Sequence, residues 1–259
     1  MTPSPRTFSN GEGLTFSPSV FPSAVLEGWI SQIDPFYQSL DASRGEPAAI
    51  ARVLSPAERF VATASSFTIG TAFSEATLRA ILFAVTSNEA GKWLRAQLGE
   101  SMACDLDQSW IRRQYAPRHY PLWHAPHGWH QDGALKFDFT AHQNGKFPAN
   151  AILPVVTCWI ALNACGVDAP GLEMVSTRLA GLLPPDQLTE EAVRGRFAPE
   201  HFWKPSFEPG DALFFRGDIL HRTHVTPAMT KDRTSLELRF FSAGELPERL
   251  KSDRFLPLP

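Results

Sequence analysis

Cysteine is scarce in this sequence. Its 259 residues include three cysteines, Cys104, Cys158 and Cys165, and no two of them have the C-x-x-C spacing. An odd number without paired spacing argues against a disulfide framework, and no neighbouring residue is placed to stabilise a thiolate. We therefore predict reduced thiols buried in the core of a cytoplasmic protein.

An excess of basic charge is also missing. The 24 Lys and Arg residues are outnumbered by 27 Asp and Glu residues, which gives a net charge of −3, whereas general nucleic-acid-binding proteins usually carry a basic excess. No apolar run approaches the roughly 18 residues that a membrane span needs. The N-terminal "MTPSPRTFSNGEG" lacks the basic and apolar segments of a secretory signal. We expect no nucleic-acid or membrane partner, and the sequence carries no signal for an oligomeric state.

Proline and phenylalanine, by contrast, are abundant, with 22 and 19 residues. Many prolines predict short elements separated by turns. The first hundred residues nevertheless have helical spacing of apolar side chains. One helix is predicted from Ser23 to about Leu40, with Pro35 ending or kinking it. Ser74 is predicted to cap a second helix, and "EAGKWLRAQLG" (89–99) predicts a third that ends near Gly99.

After residue 100 the pattern changes to short β-branched and aromatic runs bounded by Pro, Gly and Asp. These runs are "SWIRRQY", "AILPVVTCWIAL", "GLEMVS", "DALFF" and "TSLELRFF". One helix-like segment, "PDQLTEEAVRGRF" from Pro185, interrupts them. Helices followed by short strands predict an antiparallel β-barrel or jelly roll with helices on one face. With no repeat and no compositional break, residues 1–259 are expected to form one domain.

The stretch "HGWHQDGAL" (127–135) contains the first candidate chemistry. In a strand, residues two apart point to the same side, so His130 and Asp132 are expected to converge. A second histidine, His221, follows about ninety residues later. Two imidazoles and one carboxylate form the facial triad that binds Fe(II) and leaves three positions open. His224 is the alternative third ligand, but it is expected on the opposite strand face.

Four segments of the sequence, in order, resemble the phytanoyl-CoA dioxygenase-like family of Fe(II)/2-oxoglutarate-dependent oxygenases. They are "WHQDG" (129–133), "CWIALN" (158–163), "GLEMV" (171–175) and "GDALFFRGDILH" (210–221) continuing to Arg233. The resemblance covers about residues 104–242 and implies a double-stranded β-helix, that is, a cupin-like jelly roll, in that range. The mainly helical residues 1–100 are compatible with the helical N-terminal part of the family.

The resemblance also implies the roles of individual residues. His130, Asp132 and His221 would be the iron ligands, and Arg233 would hold the distal carboxylate of 2-oxoglutarate, since a guanidinium matches a carboxylate bidentately. Thr223 matches a hydroxyl that assists in holding this co-substrate, and Trp159 matches a residue that packs beside it. The implied reaction uses O₂ and converts 2-oxoglutarate to succinate and CO₂ while oxidising, by default hydroxylating, a small organic metabolite. Asp132 disfavours halogenation, which needs a small residue at its position.

Two departures from the family pattern are visible. The interval from His221 to Arg233 is one residue longer than usual, so a loop must absorb an insertion, and Arg239 is the alternative co-substrate residue. The common Gly-Ser-His after the second segment is replaced by Ser176-Thr177-Arg178.

Several interpretations stay open at this level. The protein could be a cupin-type metalloenzyme that does not use 2-oxoglutarate, in which case Arg233 has little purpose, or a non-catalytic jelly-roll binding protein, which the intact triad argues against. His124 and His127 could contact ligands or backbone. Strand alternation must turn one of Arg112 and Arg113 inward, while Arg118 completes a basic cluster. Guesses for the pocket lining are Trp123, Phe137 and Phe139.

Overall fold

Two antiparallel sheets that share an apolar core form the centre of the fold. The computed structural model describes residues 13–42, 66–119, 126–134, 152–242 and 255–258. The α-helices are α1 (Ser23–Ala42), α2 (Ile69–Ala72), α3 (Glu75–Thr86), α4 (Glu89–Leu98) and α5 (Glu190–Arg196). The strands are β1 (Leu14–Ser17), β2 (Ser66–Thr68), β3 (Met102–Asp105), β4 (Trp110–Gln114), β5 (His130–Gln131), β6 (Val155–Ala161), β7 (Gly171–Val175), β8 (Phe202–Trp203), β9 (Ala212–Arg216), β10 (Leu220–His224), β11 (Arg233–Ser242) and β12 (Phe255–Pro257).

The helices begin and end where local side chains permit. The Ser74 hydroxyl accepts a hydrogen bond from the Thr77 amide at the start of α3, which satisfies a free N–H of the first turn. The Asn88 side chain caps α4 in the same way, and Gly99, with φ of 82°, follows its last turn. The first helix continues through Pro35 to Ala42, so this proline does not end it. No helix in the described ranges is both long and apolar enough to cross a membrane.

The larger sheet has the order β1-β9-β6-β11-β3-β12, and β4 joins it by pairing with β11 and β2. The smaller sheet has the order β5-β10-β7-β8. An apolar cluster between the sheets contains Trp159, Leu172, Met174, Leu213 and Phe215. The predicted jelly-roll core with N-terminal helices on one face is therefore confirmed.

Strand β11 decides what faces the helices and what faces the second sheet. Its residues Leu236, Leu238 and Phe240 belong to the apolar cluster that also contains the helices α1, α3 and α4. Because side chains alternate along a strand, the odd-numbered positions 233–239 point the other way, toward the smaller sheet. These positions carry Arg, Ser, Glu and Arg, all buried. One face of β11 thus packs into the apolar core under the helices, and the other face is polar and buried beneath the smaller sheet.

The three cysteines are buried and unpaired. Burial raises the pKa of Cys104 and Cys165 to about 12, and it raises the pKa of Cys158 as well. All three are thiols packed in the core, as the sequence predicts.

Candidate metal centre

Two histidines lie directly opposite each other on neighbouring strands of the smaller sheet. His130 on β5 and His221 on β10 are register partners in an antiparallel pair, so their side chains lie on the same face of the sheet. Their ring centroids are 4.2 Å apart. Pairing of these two strands therefore brings together imidazoles that are far apart in sequence.

Asp132 completes the cluster from a turn rather than from the strand. The strand ends at Gln131, and Asp132–Ala134 form a single 3-10 turn, so strand alternation is not the reason for the convergence. The Gly133 amide donates to the Gly217 carbonyl at 2.9 Å, and glycine permits this close approach because a Cβ there would lie 2.8 Å from the Gly217 oxygen and 2.4 Å from Ile152. Asp132 Oδ1 lies 3.8 Å from His130 Nε2 and 3.9 Å from His221 Nε2.

Backbone carbonyls fix the orientation of both rings. His130 Nδ1 lies 2.7 Å from the Gly128 carbonyl oxygen, and His221 Nδ1 lies 3.0 Å from that of Ile219. A carbonyl oxygen only accepts, so each Nδ1 carries the hydrogen and each Nε2 keeps its lone pair. The ligand atoms of the three residues lie within 4.8 Å of one another. This arrangement of two oriented imidazoles and a carboxylate fits a divalent metal.

The protonation states of the cluster also fit a metal. Burial alone raises the pKa of the Asp132 carboxyl, but the Arg239 guanidinium, the two histidines and a hydrogen bond from Thr157 together hold it below its ordinary value. Burial, with a smaller effect of His130, lowers the pKa of His221 to about 4. At neutral pH the cluster therefore presents an ionised carboxylate and a neutral His221, the forms that bind metals.

His224, the alternative ligand, lies away from this cluster. It is three residues beyond His221 on β10 and is surrounded by charged side chains of the other face, among them Lys204 and Glu173. Burial lowers the pKa of His224, followed by the effect of the Lys204 charge. Among the described residues, the group that could share a metal ion consists of His130, Asp132 and His221, and it does not include His224.

A fully buried guanidinium lies in the wall of the same cavity. Arg233, at the start of β11, is 1% exposed, and its Nε and Nη1 have no hydrogen-bond partner among the described residues. Its guanidinium carbon lies 5.3 Å from the centroid of the Trp159 ring. Thr223, buried on β10, lines the cavity with both of these residues and with the triad. A buried cation with unsatisfied donors is costly unless an anion pairs with it.

Arg239, the alternative to Arg233, already has anionic partners. Its Nη2 lies 3.1 Å from Asp132 Oδ2 and 3.5 Å from Glu237 Oε2. Glu237 is also 3.3 Å from Arg112 Nε. These contacts leave Arg233 as the cavity arginine without a carboxylate partner among the described residues.

The two neighbouring arginines of β4 point to opposite faces. Arg112 faces the cavity and its Nη1 donates to His127 Nδ1 at 2.7 Å, while Arg113 faces α1 and donates to Asp34 at 2.9 Å. The nearby Arg112 charge, and then burial, lower the pKa of His127 to about 2. Arg118 is exposed and donates to the Thr230 carbonyl. Four other candidates lie outside the described residues: Trp123, His124, Phe137 and Phe139.

The substituted Ser-Thr-Arg segment contributes nothing to the cavity wall. Arg178 donates to Asp218 at 2.7 Å, and the Thr177 hydroxyl lies 3.0 Å from His201 Nδ1. Neither residue is among those that line the cavity with the triad.

Sequence reasoning missed Thr157 and Glu237, and it did not predict the contact of Arg239 with Asp132. Thr157 donates to Asp132 Oδ2, beside Arg239. The only sequence signal is the alternation of polar and apolar residues in "RTSLELRFF". That alternation is normally typical of a strand with one face in water, which explains why a buried polar face was not anticipated.

No protein-family model matches the sequence, and no curated protein is significantly similar to it. Solved structures of similar fold include the apo form of the non-heme monooxygenase ThoJ, with 12% identity and a TM-score of 0.59 over 96% of this chain and 80% of that one. EctD from S. alaskensis, solved with 2-oxoglutarate and 5-hydroxyectoine, has 16% identity and a TM-score of 0.58 over 90% of this chain and 73% of that one. The non-heme alpha-ketoglutarate-dependent epimerase SnoN from nogalamycin biosynthesis has 13% identity and a TM-score of 0.52 over 95% and 93%. At these identities the likeness shows a shared fold.

Proposed function

We propose that this protein is a non-haem Fe(II)/2-oxoglutarate-dependent oxygenase of the phytanoyl-CoA dioxygenase-like type, acting on a small organic metabolite. The observation that carries the proposal is the convergence of His130, Asp132 and His221 beside a buried guanidinium, Arg233, that has no anionic partner among the described residues. A metalloenzyme that does not use 2-oxoglutarate has little reason to keep such a cation beside the metal.

The residues that would hold iron are His130 and His221 through Nε2 and Asp132 through Oδ1. Asp132 Oδ2 is engaged by Thr157 and Arg239, so Oδ1 is the oxygen available to a metal. Three protein ligands on one side leave the remaining positions for small molecules. When bound, the iron supplies the oxidation of an unactivated C–H bond by O₂, coupled to loss of CO₂ from 2-oxoglutarate.

The residue that would hold the co-substrate is Arg233, with Thr223 beside it. The distal carboxylate of 2-oxoglutarate would accept hydrogen bonds from the unsatisfied guanidinium donors of Arg233. Trp159, whose ring lies next to that guanidinium, would limit the space on one side. The protein's own contribution is to orient both small molecules and to exclude water from the reacting bond.

In the simplest outcome, one O₂, one 2-oxoglutarate and one substrate give hydroxylated substrate, succinate and CO₂. Desaturation and ring closure begin from the same C–H oxidation. The EctD structure contains a hydroxylated ligand, 5-hydroxyectoine, and SnoN is an epimerase, so similar folds accompany more than one outcome. The cytoplasmic location remains a prediction from the sequence.

Anaerobic titration of the purified, metal-free protein with Fe(II) and then 2-oxoglutarate tests the proposal. We expect one iron to bind per chain and 2-oxoglutarate to bind only after iron. Admission of O₂ should then release succinate slowly even without substrate. Iron binding without any affinity for 2-oxoglutarate contradicts the proposal in favour of a cupin-type metalloenzyme, and failure to bind iron favours a non-catalytic binding protein.

A further inference from the structure

The candidate site contains more charged side chains than iron and 2-oxoglutarate require. Arg112, Glu237 and Arg239 follow one another along the cavity wall, with separations of 3.3 Å and 3.5 Å between their charged groups. All three line the same cavity as the triad, and their side chains are no more than 13% exposed. Burying three charged groups is unfavourable unless each has a partner.

The described side chains that line the cavity carry a net positive charge. Arg112, Arg233 and Arg239 give three positive charges, while Asp132 and Glu237 give two negative charges. Arg222 also borders the cavity, but it is paired with Glu173 and Glu190 on the outer face of the smaller sheet. A divalent metal and the 2-oxoglutarate dianion cancel each other. Among the described residues, one positive charge therefore remains inside the site when both are bound.

Arg112 is the arginine through which this charge is accessible. Arg233 would be occupied by the co-substrate, and Arg239 lies between Asp132 and Glu237. The Arg112 side chain is 13% exposed, compared with 7% for Arg239, so its guanidinium, which contacts Glu237 through Nε at 3.3 Å, is the more accessible of the two.

His127 provides a second donor beside Arg112. Because a guanidinium only donates, His127 Nδ1, at 2.7 Å, must accept, and the other ring nitrogen then carries a hydrogen. The His127 carbonyl accepts from the Thr223 amide at 3.0 Å, which holds this residue against β10. Its ring centroid lies 5.7 Å from that of His130, so the His127 ring is next to one of the proposed metal ligands, and Arg112 lines the cavity that contains all three.

We propose that the substrate is an organic acid with one carboxylate, which binds to Arg112 and His127 while its reactive C–H bond points toward the metal. This inference rests on the proposed function. A single carboxylate neutralises the remaining charge and accepts from two donors at once. A phosphate monoester would bring nearly two negative charges, and an ammonium group would add to the positive excess.

Calorimetry on the full chain loaded with Ni(II) and saturating 2-oxoglutarate tests this without turnover. The probes are propanoate, butanoate, pentanoate and benzoate, each compared with its primary amide, which has the same skeleton without the charge. We expect at least one carboxylate to bind about ten-fold or more tightly than its amide, because hydrogen bonds to charged groups are the stronger ones. Arg112→Gln should abolish the preference. Arg113→Gln, which changes the neighbouring arginine on the opposite face of β4, should keep it.

Three outcomes overturn the substrate class. They are the absence of any preference for carboxylates, its persistence in Arg112→Gln, and loss of carboxylate binding as 2-oxoglutarate is raised, which would mean that the probes compete for Arg233. If Arg112→Gln instead weakens 2-oxoglutarate as strongly as Arg233→Gln does, Arg112 belongs to the co-substrate site and the proposal is wrong. Failure of the parent protein to bind Ni(II) or 2-oxoglutarate contradicts the proposed function itself, so the two failures are distinguishable.

Discussion

At Asp132 the two oxygens of one carboxylate have different neighbours. Oδ1 faces both imidazoles, whereas Oδ2 is occupied by Thr157 and Arg239. Removing a residue that hydrogen-bonds to a metal ligand commonly lowers the metal affinity about 10- to 100-fold. The proposed metal ligands and the proposed co-substrate residue Arg233 can each be tested by a single substitution.

The first expectation concerns the choice between two histidines on one strand. His221→Ala removes a group that faces Asp132 and should lose most of the bound iron. His224→Ala, three residues further on the other face of β10, is the matched control and should retain iron. Iron content after anaerobic reconstitution, measured together with the circular dichroism of each variant, decides this. Loss of iron from His224→Ala with retention in His221→Ala would reverse the assignment.

A second expectation separates the two buried arginines of β11. Arg233→Ala should raise the KM for 2-oxoglutarate about 30- to several-thousand-fold with iron retained, since truncating one partner of a buried charge pair costs about 2–5 kcal/mol. Arg233→Lys should recover part of this loss, because a point charge cannot replace the bidentate contact. Succinate release against 2-oxoglutarate concentration gives the KM.

Arg239 provides the comparison for that experiment. Arg239→Gln should mainly weaken iron binding, because its guanidinium contacts Asp132. If this variant loses 2-oxoglutarate affinity while Arg233→Ala does not, Arg239 is the co-substrate residue. The extra residue between His221 and Arg233 would then mean that Arg233 does not match the arginine of the family pattern.

At the scale of single elements, strand β11 is central to the larger sheet, because it pairs with three other strands. It pairs with β6 on one side and with β4 and β3 on the other, and both of its faces are buried. Leu238→Ala should reduce the free energy of unfolding by about 2–5 kcal/mol, because Leu238 is fully buried against the helices. Phe83→Ala, at a position on α3 that is 64% exposed, should change it by less than about 0.5 kcal/mol. Urea unfolding of both variants measures the difference, and equal losses would contradict the burial argument.

Elements with a local signal were predictable from the sequence, and elements without one were not. The helix after Ser74 has its cap and its apolar stripe within one segment, and both are observed. The pairing of β1 with β9 and of β12 with β3 depends on partners remote in sequence. The two-residue strand β5 is too short to have a period.

The candidate site likewise has features that the sequence predicts and features that it does not. The convergence of His130, Asp132 and His221 was predictable because a short motif and one distant histidine specify it. The turn at Asp132 was not, since it depends on the approach of Gly133 to Gly217. The contacts of Arg239 and Glu237 depend on which face of β11 is covered by the second sheet, and that is decided by the whole fold.

At the scale of the whole molecule, a second charged cluster links the smaller sheet to α5. Glu173 is completely buried and contacts Arg194 at 2.5 Å, Arg222 at 2.6 Å and Lys204 at 3.6 Å. Burial alone raises the pKa of the Glu173 carboxyl, but hydrogen bonds from both arginines and the charge of Lys204 hold it below its ordinary value.

A carboxyl whose pKa is lowered by folding stabilises the protein above its unfolded pKa, and the contribution disappears as the pH falls through the folded value. Unfolding free energies of the parent should therefore decline below about pH 4, near the ordinary pKa of a glutamate. Glu173→Gln should be less stable than the parent at pH 7, and the gap should narrow in acid. Urea unfolding across this pH range measures both curves. A gap that stays constant with pH would show that Glu173 does not titrate with folding.

The register between β5 and β10 has a consequence for chain entropy. Among the described strands, β5 pairs with β10 alone, and it does so through two residues. An ion held by both His130 and His221 would bridge chain segments separated by about ninety residues. Closing a loop of that length costs on the order of 4 kcal/mol of conformational entropy. The ion would then act as a removable cross-link, so that the same atom required for chemistry would also help to keep this two-residue strand in register with β10.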